Sequence, residues 1–277
     1  MLATNLAYVG NKVIDALEGF GQFARFAGST WSWLFRGIKS WTRPSQLMPL
    51  FYQIGTKSIG VVIIVGMFIG MVLAIETYQQ FKSIGQEARL GGIIGISVVK
   101  QIGPVLAAVM IAGRVGGSIS AELGSMRVTE QIDAMRAMGA DPIAYLVVPR
   151  VVACVIMVPL LTIFSNLTGV LGGWFICVRG YGVNEQDYWD FSARFVPTYD
   201  ILVGLGKSFF FGIAIGLISC FKGFYCKSGA EGVGRAATQA FVTSFIAIIV
   251  MNFFLAAFFR DLYSILFGDY KIGAFSG

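Results

Sequence analysis

The chain has 277 residues, of which 56% are hydrophobic and only 13% are charged, and its mean hydropathy is +0.74. A soluble globule needs more polar surface than this composition provides, so the sequence excludes a soluble protein and predicts an all-α, polytopic integral membrane protein. The net charge of +6 does not indicate nucleic-acid binding, because the basic residues are scattered at the ends of apolar stretches instead of forming one face.

Residues 1–46 form a long segment with one apolar and one polar face. Apolar side chains recur every three or four positions, and charged residues such as Lys12 and Asp15 take the opposite side. A helix with this pattern lies along the membrane surface, where Trp and basic side chains suit the headgroup layer. Glycine weakens a helix interior, so the glycines between Gly19 and Gly37 argue against one unbroken rod. We therefore expect an interfacial amphipathic segment that is not one unbroken helix.

Five apolar stretches follow, each near or above the roughly 20 residues that cross a hydrocarbon core about 30 Å thick. Their expected limits are 50–77, 91–113, 147–178, 200–221 and 236–260, within a transmembrane domain of residues 47–277. With the N-terminus in the cytosol, twelve Lys and Arg residues lie inside and six lie outside. The positive-inside rule therefore predicts a cytosolic N-terminus and a C-terminus on the opposite side.

The spans are rich in glycine at helical spacing, as in Gly66 and Gly70 or Gly212 and Gly216. Small residues four apart let two helices approach closely in lipid. The sequence has no visible internal repeat, so the inverted halves of many secondary transporters are not expected. A five-span unit of this kind more naturally doubles as a homodimer.

The longest polar interval between two spans is residues 114–146. Apolar residues at a spacing of three, from Ile132 to Met138, predict a short amphipathic helix, and Gly139 supplies the left-handed residue that ends it. Its polar side carries Glu130, Asp133 and Arg136. A two-faced helix at the cytosolic surface presses against either the bilayer or another protein, and the pattern alone leaves both interpretations open.

Two lysines stand within the predicted spans, where a charge costs at least about 2.5 kcal/mol and needs a partner or a cavity. Lys100 precedes Pro104 by four residues, and the proline loosens the helix where a cavity can form. Lys207 lies about two turns into the fourth span. Three interpretations are open for each lysine: it contacts an anionic group, it has a structural role, or its side chain snorkels toward the interface. Glu76 and Asn252 are the candidate hydrogen-bonding partners.

Neither a metal site nor a nucleotide site is expected in this chain. The four cysteines lie in or beside apolar spans without a CxxC pair, and the chain contains no histidine. The sequence Gly206-Lys207-Ser208 imitates the end of a nucleotide-binding loop but lies in an apolar span. An intramembrane enzyme is also disfavoured, because no span carries paired carboxylates for acid–base chemistry.

The polar interval carries the most specific motifs of the chain. They are AGR at 112–114, AELG at 121–124, MRVTEQIDAM at 126–135, MGADP at 138–142 and PR at 149–150. This segment closely resembles the centre of the MlaE/YrbE permease family, the membrane subunits of lipid-transporting ABC systems that work with Mce-type proteins. Weaker similarity extends over most of the chain, including residues 66–76 and 101–109.

The resemblance implies that the polar interval is a coupling helix that docks on a separate cytosolic ABC ATPase subunit. That subunit would bind the ATP, so no cofactor is expected here and the chain itself is not an enzyme. The residues implied to couple to the ATPase are Glu122, Arg127, Thr129, Glu130, Asp133 and Arg136. Further implied partners are an Mce-domain (MlaD-like) protein, phospholipid, a second copy of the chain and a small STAS-domain subunit. The implied location is the bacterial inner membrane, with the C-terminus in the periplasm.

In the family that this chain resembles, the lipid site lies at the dimer interface, is lined largely by the first and fifth spans and opens outward. The substrate-contact residues predicted on this basis, together with the charged and amide side chains of the spans, are Leu73, Glu76, Tyr78, Phe81, Ile84, Lys100, Gln101, Lys207 and Asn252. Relatives often carry an acid at the positions that match Gln101 and Asn252. Because this chain has amides at both positions, a mechanism in which the relatives' acids form charge pairs is in doubt for it.

The alternative function is a secondary carrier or channel for an amphipathic or anionic substrate. A carrier needs coupling-ion carboxylates in mid-span, and none of the fifteen acidic residues lies clearly there. Copurification with a cytosolic ATPase separates the two functions, because a carrier should retain none.

Overall fold

A computed structural model of the protein describes residues 2–37 and 44–267, and every regular element in these ranges is helical. The helices are α1 (Leu2–Arg36), α2 (Pro44–Ser83), α3 (Glu87–Val128), α4 (Gln131–Ala137), α5 (Ile143–Gly180), α6 (Glu185–Phe195), α7 (Thr198–Phe224) and α8 (Gly229–Phe267). Five of them, α2, α3, α5, α7 and α8, are long and apolar enough to cross a membrane. The all-α fold with five spans is confirmed. Each span extends beyond its predicted limits because the helices continue where hydropathy has already fallen.

Helix α1 is continuous through Gly19, Gly21 and Gly28 and ends at Arg36, so of the four glycines expected to interrupt the segment only Gly37 stands at a helix end. A glycine costs a helix only about 1 kcal/mol relative to alanine, which tertiary contacts can offset. Phe26 supplies such contacts, since it is buried and its ring lies 5.6 Å from that of Phe221 and 5.7 Å from that of Phe224. The expected segment also included residues 38–43, which lie outside the described part of the chain.

Helix α5 forms the centre of the bundle and packs against α2 on one side and α7 on the other. The predicted glycine contacts are present. A Cβ at Gly66 would lie 2.8 Å from the carbonyl oxygen of Ser165, and one at Gly212 would lie 2.8 Å from that of Cys154. Helix backbones therefore touch in the centre of the bundle, as small residues allow in lipid.

Helix α8 lies at the outside of the bundle. Only 11% of its most apolar stretch is buried, compared with 61% in α5, and its outward face carries exposed aromatic side chains such as Phe245 and Phe253. Helix α2 is the next least buried span, at 28%. These two spans therefore present the apolar surface that remains for lipid or for another chain.

The two ends of the bundle differ in the short helices that cover them. We call them the α4 end, where Gln131–Ala137 lies, and the α6 end, where Glu185–Phe195 lies. Helix α6 starts at an Asn184 cap, whose side-chain oxygen accepts a hydrogen bond from the Gln186 amide at 2.8 Å. Its backbone at Tyr188 packs directly on Gly91, which fixes α6 against the start of α3.

Candidate functional site

A cavity of about 510 Å³ lies between α3, α7 and α8, toward the α6 end. Its walls are mostly apolar, and a small number of polar side chains reach into it. Among the lining residues are Lys100, Gln101, Tyr199, Lys207, Phe253 and Arg260. We call this site the lysine cavity. Its volume falls within the range of about 300–1,000 Å³ that is typical of small-molecule sites.

Lys100 forms an ion pair across two helices. Its Nζ lies 2.8 Å from Oδ1 of Asp200 in the first turn of α7, and the Asp200 side chain is completely buried whereas that of Lys100 is 33% exposed. Asp200 was not among the expected hydrogen-bonding partners, Glu76 and Asn252. Asp200 is the first residue of its predicted span and is enclosed by the bundle, so it is a buried acid but not one in mid-span.

Lys207 lies at the back of the lysine cavity and is only 1% exposed, so it does not snorkel to the surface. Its Nζ donates a hydrogen bond of 2.6 Å to Oε1 of Gln101 and one of 3.3 Å to the backbone oxygen of Lys100. Both acceptors are neutral. Within the described residues no carboxylate forms an ion pair with Lys207.

The backbone around Lys100 explains why its carbonyl accepts this bond. Pro104 has no amide hydrogen, so the carbonyl four residues earlier lacks its α-helical donor. The segment Val98–Ile102 forms a π-helical turn, which widens the helix at this point. Gly204 lets α7 approach closely, because a Cβ there would collide with the backbone oxygen of Val99. Lys207, three residues further on, thereby reaches the carbonyl of Lys100.

Aromatic contacts hold α7 and α8 together at the rim of the lysine cavity. The Tyr199 hydroxyl donates a hydrogen bond of 2.7 Å to the backbone oxygen of Phe259, and its ring packs edge-on against Tyr263 at 4.8 Å. Arg260 at the same rim is exposed and pairs with Asp261 at 3.2 Å. The cavity therefore has a basic back and apolar walls, and the arginine at its rim is paired with an acid.

The structure places the other predicted substrate-contact residues elsewhere. Leu73, Tyr78 and Phe81 pack against a separate apolar cluster near α6, where the Tyr78 ring stacks on Tyr181 at 3.8 Å. Tyr188 of this cluster is also buried, and burial, with Cys177 nearby, raises the pKa of its hydroxyl above the usual range. The three that remain are Glu76 and Ile84, which are exposed, and Asn252, which is partly buried in α8. The lysine cavity thus unites Lys100, Gln101 and Lys207 but not these residues.

Three of the predicted coupling residues form a charged cluster at the α4 end. Nη1 of Arg127 lies 2.7 Å from both carboxylate oxygens of Asp133, and Nη1 of Arg136 lies 3.2 Å from Oδ1 of the same carboxylate. The Thr129 hydroxyl instead donates to the backbone oxygen of Ser125 at 2.9 Å. Glu130 is exposed and adopts a left-handed φ of 59°, which reverses the chain between α3 and α4.

The short helix α4 has the predicted two faces only in part. Ile132 is fully buried, Met135 is partly buried and Met138 is exposed. Gly139 takes a φ of 76°, which confirms the predicted left-handed end. Glu122, the remaining predicted coupling residue, lies one helix earlier and pairs with the buried Arg150 at 2.8 Å.

Helix α1 is tied to the α4 end by contacts that sequence reasoning missed. The Trp33 indole donates a hydrogen bond of 2.7 Å to Oδ2 of Asp141, whose Oδ1 accepts one of 2.9 Å from the Ile143 amide. The Arg136 guanidinium lies 5.4 Å from the centre of the Phe224 ring, which in turn contacts Phe26 of α1. Because these partners are more than 80 residues apart, no local pattern could reveal them.

The described residues contain no group of three His, Cys, Asp or Glu side chains that could hold a metal ion. Cys154, Cys177 and Cys220 are buried and all four thiols are free. Outside the spans, burial raises the pKa of the Cys226 thiol, although Arg127 nearby lowers it.

The sequence matches one protein family and is similar to several permeases of known sequence. Residues 47–258 match the family "Permease MlaE". A probable ABC transporter permease protein of Rickettsia felis is 37% identical over 255 residues, which cover 91% of this chain and 96% of that protein. One of Synechocystis is 42% identical over 204 residues, 74% of this chain and 78% of that protein. The intermembrane phospholipid transport system permease protein MlaE of Haemophilus influenzae is 31% identical over 262 residues, 93% of this chain and 98% of that protein. This multi-pass inner-membrane chain therefore belongs to the MlaE family of ABC transporter permeases and is not an enzyme.

Proposed function

We propose that this chain moves phospholipid, as the permease subunit of a transporter driven by a separate cytosolic ATPase. The supporting observation is the lysine cavity, which combines a basic back with apolar walls. A phospholipid has the complementary chemistry, because it joins an anionic phosphate to apolar chains. In this proposal an Mce-domain protein exchanges lipid with the permease in the periplasm, and a small STAS-domain subunit is a further partner.

Lys207 is the residue best placed to bind the phosphate. Its present acceptors are an amide and a backbone carbonyl, and a charge-assisted hydrogen bond to a phosphate is roughly twice as strong as a bond between neutral groups. Lys100 already neutralises Asp200. A phosphate that displaces the Gln101 amide would therefore bind the ammonium of Lys207, and no ion pair would have to break.

The acyl chains would follow the aromatic face of α8. Phe253 and Phe259 line the lysine cavity, and the outward face of α8 carries further exposed aromatic residues. A second copy of the chain would cover part of this face and of α2, the two least buried spans. The proposed homodimer would thus enclose lipid that a single chain leaves open to the bilayer.

Helix α7 gives a physical route from the ATPase to the lipid. Its first turn carries Asp200, its middle carries Lys207, and its last residue, Phe224, touches Arg136 of α4. Lys207 and Phe224 are separated by about 26 Å along a continuous helix. Movement of α4 by a docked ATPase would therefore displace the lysine cavity through α7. In this proposal the α4 end is cytosolic, as the distribution of Lys and Arg favours.

The secondary carrier is not favoured over this proposal. Asp200 is a buried carboxylate of the kind that a carrier uses to bind its coupling ion, but it is already paired with Lys100. The similar proteins of Rickettsia felis and Synechocystis are probable ABC transporter permeases.

The test is reconstitution of the chain in liposomes with and without its cytosolic ATPase. We expect a labelled phospholipid to reach acceptor liposomes that carry the Mce-domain protein, only when the ATPase and hydrolysable ATP are both present. A phospholipid flux that is equally fast without the ATPase, or that follows an imposed ion gradient, would contradict the proposal.

A further inference from the structure

A second, smaller cavity of about 160 Å³ lies at the α4 end, between the start of α2 and the later part of α3. Four of its lining residues are apolar: Leu50, Ile54, Val115 and Ile119. Its polar side chains are Gln53, Lys57, Arg114, Ser118 and Glu122. We call it the α4-end cavity. It is separate from the lysine cavity, with which it shares no lining residue.

The charges of this cavity are unbalanced. Within the described residues neither Lys57 nor Arg114 forms an ion pair, and the Lys57 ammonium only lies 5.6 Å from the centre of the Tyr52 ring. Glu122 does not compensate for them, because its carboxylate is 2.8 Å from Nη2 of Arg150. Two cations therefore face the cavity together with one carboxylate that is already neutralised.

The position of Lys57 along α2 places this cavity at the edge of the hydrocarbon core. Eighteen uncharged residues, 58–75, separate Lys57 from Glu76. At a rise of 1.5 Å per residue the two charged residues are about 28 Å apart, close to the roughly 30 Å thickness of the core. Lys57 therefore lies at the level where lipid phosphates meet the apolar chains, on the side of the α4 end.

The backbone on both sides of the cavity is irregular. A π-helical turn, Tyr52–Thr56, directly precedes Lys57, and another, Ala112–Gly116, contains Arg114. Each π-helical turn adds a residue to the helix and changes the direction of the side chains, and such turns are frequent at functional sites. The lysine cavity has the same feature at Val98–Ile102.

We infer that the α4-end cavity binds the phosphate of an anionic lipid headgroup. Arg114 offers a planar fork of donors that suits a phosphate, and Lys57 offers a second cation. Beside these cations, the Gln53 amide donates a long hydrogen bond of 3.4 Å to the Ser118 hydroxyl, so the cavity also contains uncharged polar groups. At about 160 Å³ the cavity takes a headgroup and not a whole lipid, so the chains stay in the bilayer. This inference rests on the proposed function, which places the α4 end at the cytosolic leaflet.

The test uses the full-length protein in phosphatidylcholine nanodiscs with a small fraction of phosphatidylglycerol that carries a photoreactive headgroup. We expect cross-links to map to residues 52–57 and 114–118. The double variant Lys57→Gln/Arg114→Gln should lower their yield at least about tenfold, because two charge-assisted hydrogen bonds are lost. The control Lys222→Gln/Lys227→Gln removes the same charge from the α4 end outside the cavity and should leave the yield unchanged.

Several outcomes would overturn the inference. Equal labelling of both double variants would show that the two cations do not bind the lipid. Competition by soluble glycerol phosphate at low concentration would identify a free phosphate as the ligand, and complete protection by the bound ATPase would make the cavity a protein contact. If Lys57→Gln/Arg114→Gln does not fold, the wild-type protein is labelled with two probes, one of phosphatidylglycerol and one of phosphatidylcholine. Equal labelling by the two probes would exclude an anionic-lipid site.

Transport measured on the same preparations separates this inference from the proposed function. Absent labelling with intact ATP-driven lipid transfer overturns only the α4-end site. Labelling at residues 52–57 and 114–118 without any ATP-driven transfer overturns only the proposed function.

Discussion

The two basic cavities hold their charges in opposite ways. In the lysine cavity, Lys100 pairs with a carboxylate from another helix, and Lys207 is buried against an amide and a carbonyl. In the α4-end cavity, Lys57 and Arg114 are exposed and no carboxylate of the described residues pairs with either. A buried charge must be held by fixed partners, whereas an exposed one keeps its water until a ligand arrives. Removal of one partner of the Lys100–Asp200 pair should therefore disturb the fold at the first cavity, whereas removal of a cation at the second should disturb only binding.

The largest loss of stability is expected for Asp200→Asn. The change leaves the Lys100 ammonium without its carboxylate, and breaking a buried pair costs about 3–5 kcal/mol. The lower end of this range applies, because Lys100 is 33% exposed. Thermal unfolding of the purified protein in detergent measures the loss.

Lys100→Met should be similarly unstable, since it leaves the fully buried Asp200 without its cation. The double variant Asp200→Asn/Lys100→Met removes both charges and should recover most of the loss. Melting of Asp200→Asn at the wild-type temperature would contradict the view that the lysine cavity depends on its ion pair.

The next largest effect is expected for Gly204→Ala. The new Cβ would meet the backbone oxygen of Val99, which cannot swing away as a side chain could, so α7 must move from α3. Overpacking of this kind costs about 1–3 kcal/mol and should also weaken the bond between Lys207 and Gln101. Gly60→Ala is the matched control, because nothing lies within 4 Å of its Cβ. The idea fails if both variants melt at the same temperature.

A smaller effect on stability, but a clear one on assembly, is expected for Asp133→Lys. Its ion pairs with Arg127 and Arg136 are exposed, and such pairs contribute only about 0–1 kcal/mol, so the protein should still fold. Reversal of the charge should nevertheless repel both arginines and lower the amount of copurifying ATPase several-fold. Glu231→Lys, at another exposed pair of the α4 end, is the control. Wild-type recovery of ATPase by Asp133→Lys would remove the coupling role from this cluster.

The smallest effect on stability is expected for Lys57→Gln. The side chain is exposed and has no carboxylate partner within the described residues, so the free energy of unfolding should change by less than about 0.5 kcal/mol. Melting curves of Lys57→Gln and Lys100→Met, recorded side by side, compare the two cavities directly. An equally large loss in both would show that Lys57 is a structural residue.

The spans were predictable because hydropathy and length decide which segments cross a membrane. The continuity of α1 was not, since helix propensity counts its glycines but not the contacts of Phe26 with the end of α7. The same reason hid the role of Trp33. Its partner, Asp141, lies 108 residues later in the chain.

The lysine cavity was predictable in part. A lysine within an apolar span signals a site because its burial is costly, and this signal identified Lys100 and Lys207. Asp200 gave no comparable signal, because an acid at the start of a helix is common and needs no partner. The π-helical turn at Val98–Ile102 was also missed, since a shift from α- to π-helical hydrogen bonding leaves hydropathy unchanged.

The measurement that tests the proposed function most directly is ATP-driven lipid transfer by Lys207→Met and Lys207→Arg. Methionine replaces a buried cation by an apolar side chain of similar length, so folding should survive, and the ion pair of Lys100 stays in place. The account predicts that Lys207→Met melts near the wild-type temperature but transfers phospholipid at least about tenfold more slowly, while Lys207→Arg keeps part of the rate. A stable Lys207→Met protein that transfers phospholipid at the wild-type rate would contradict the assignment of the lysine cavity as the lipid site.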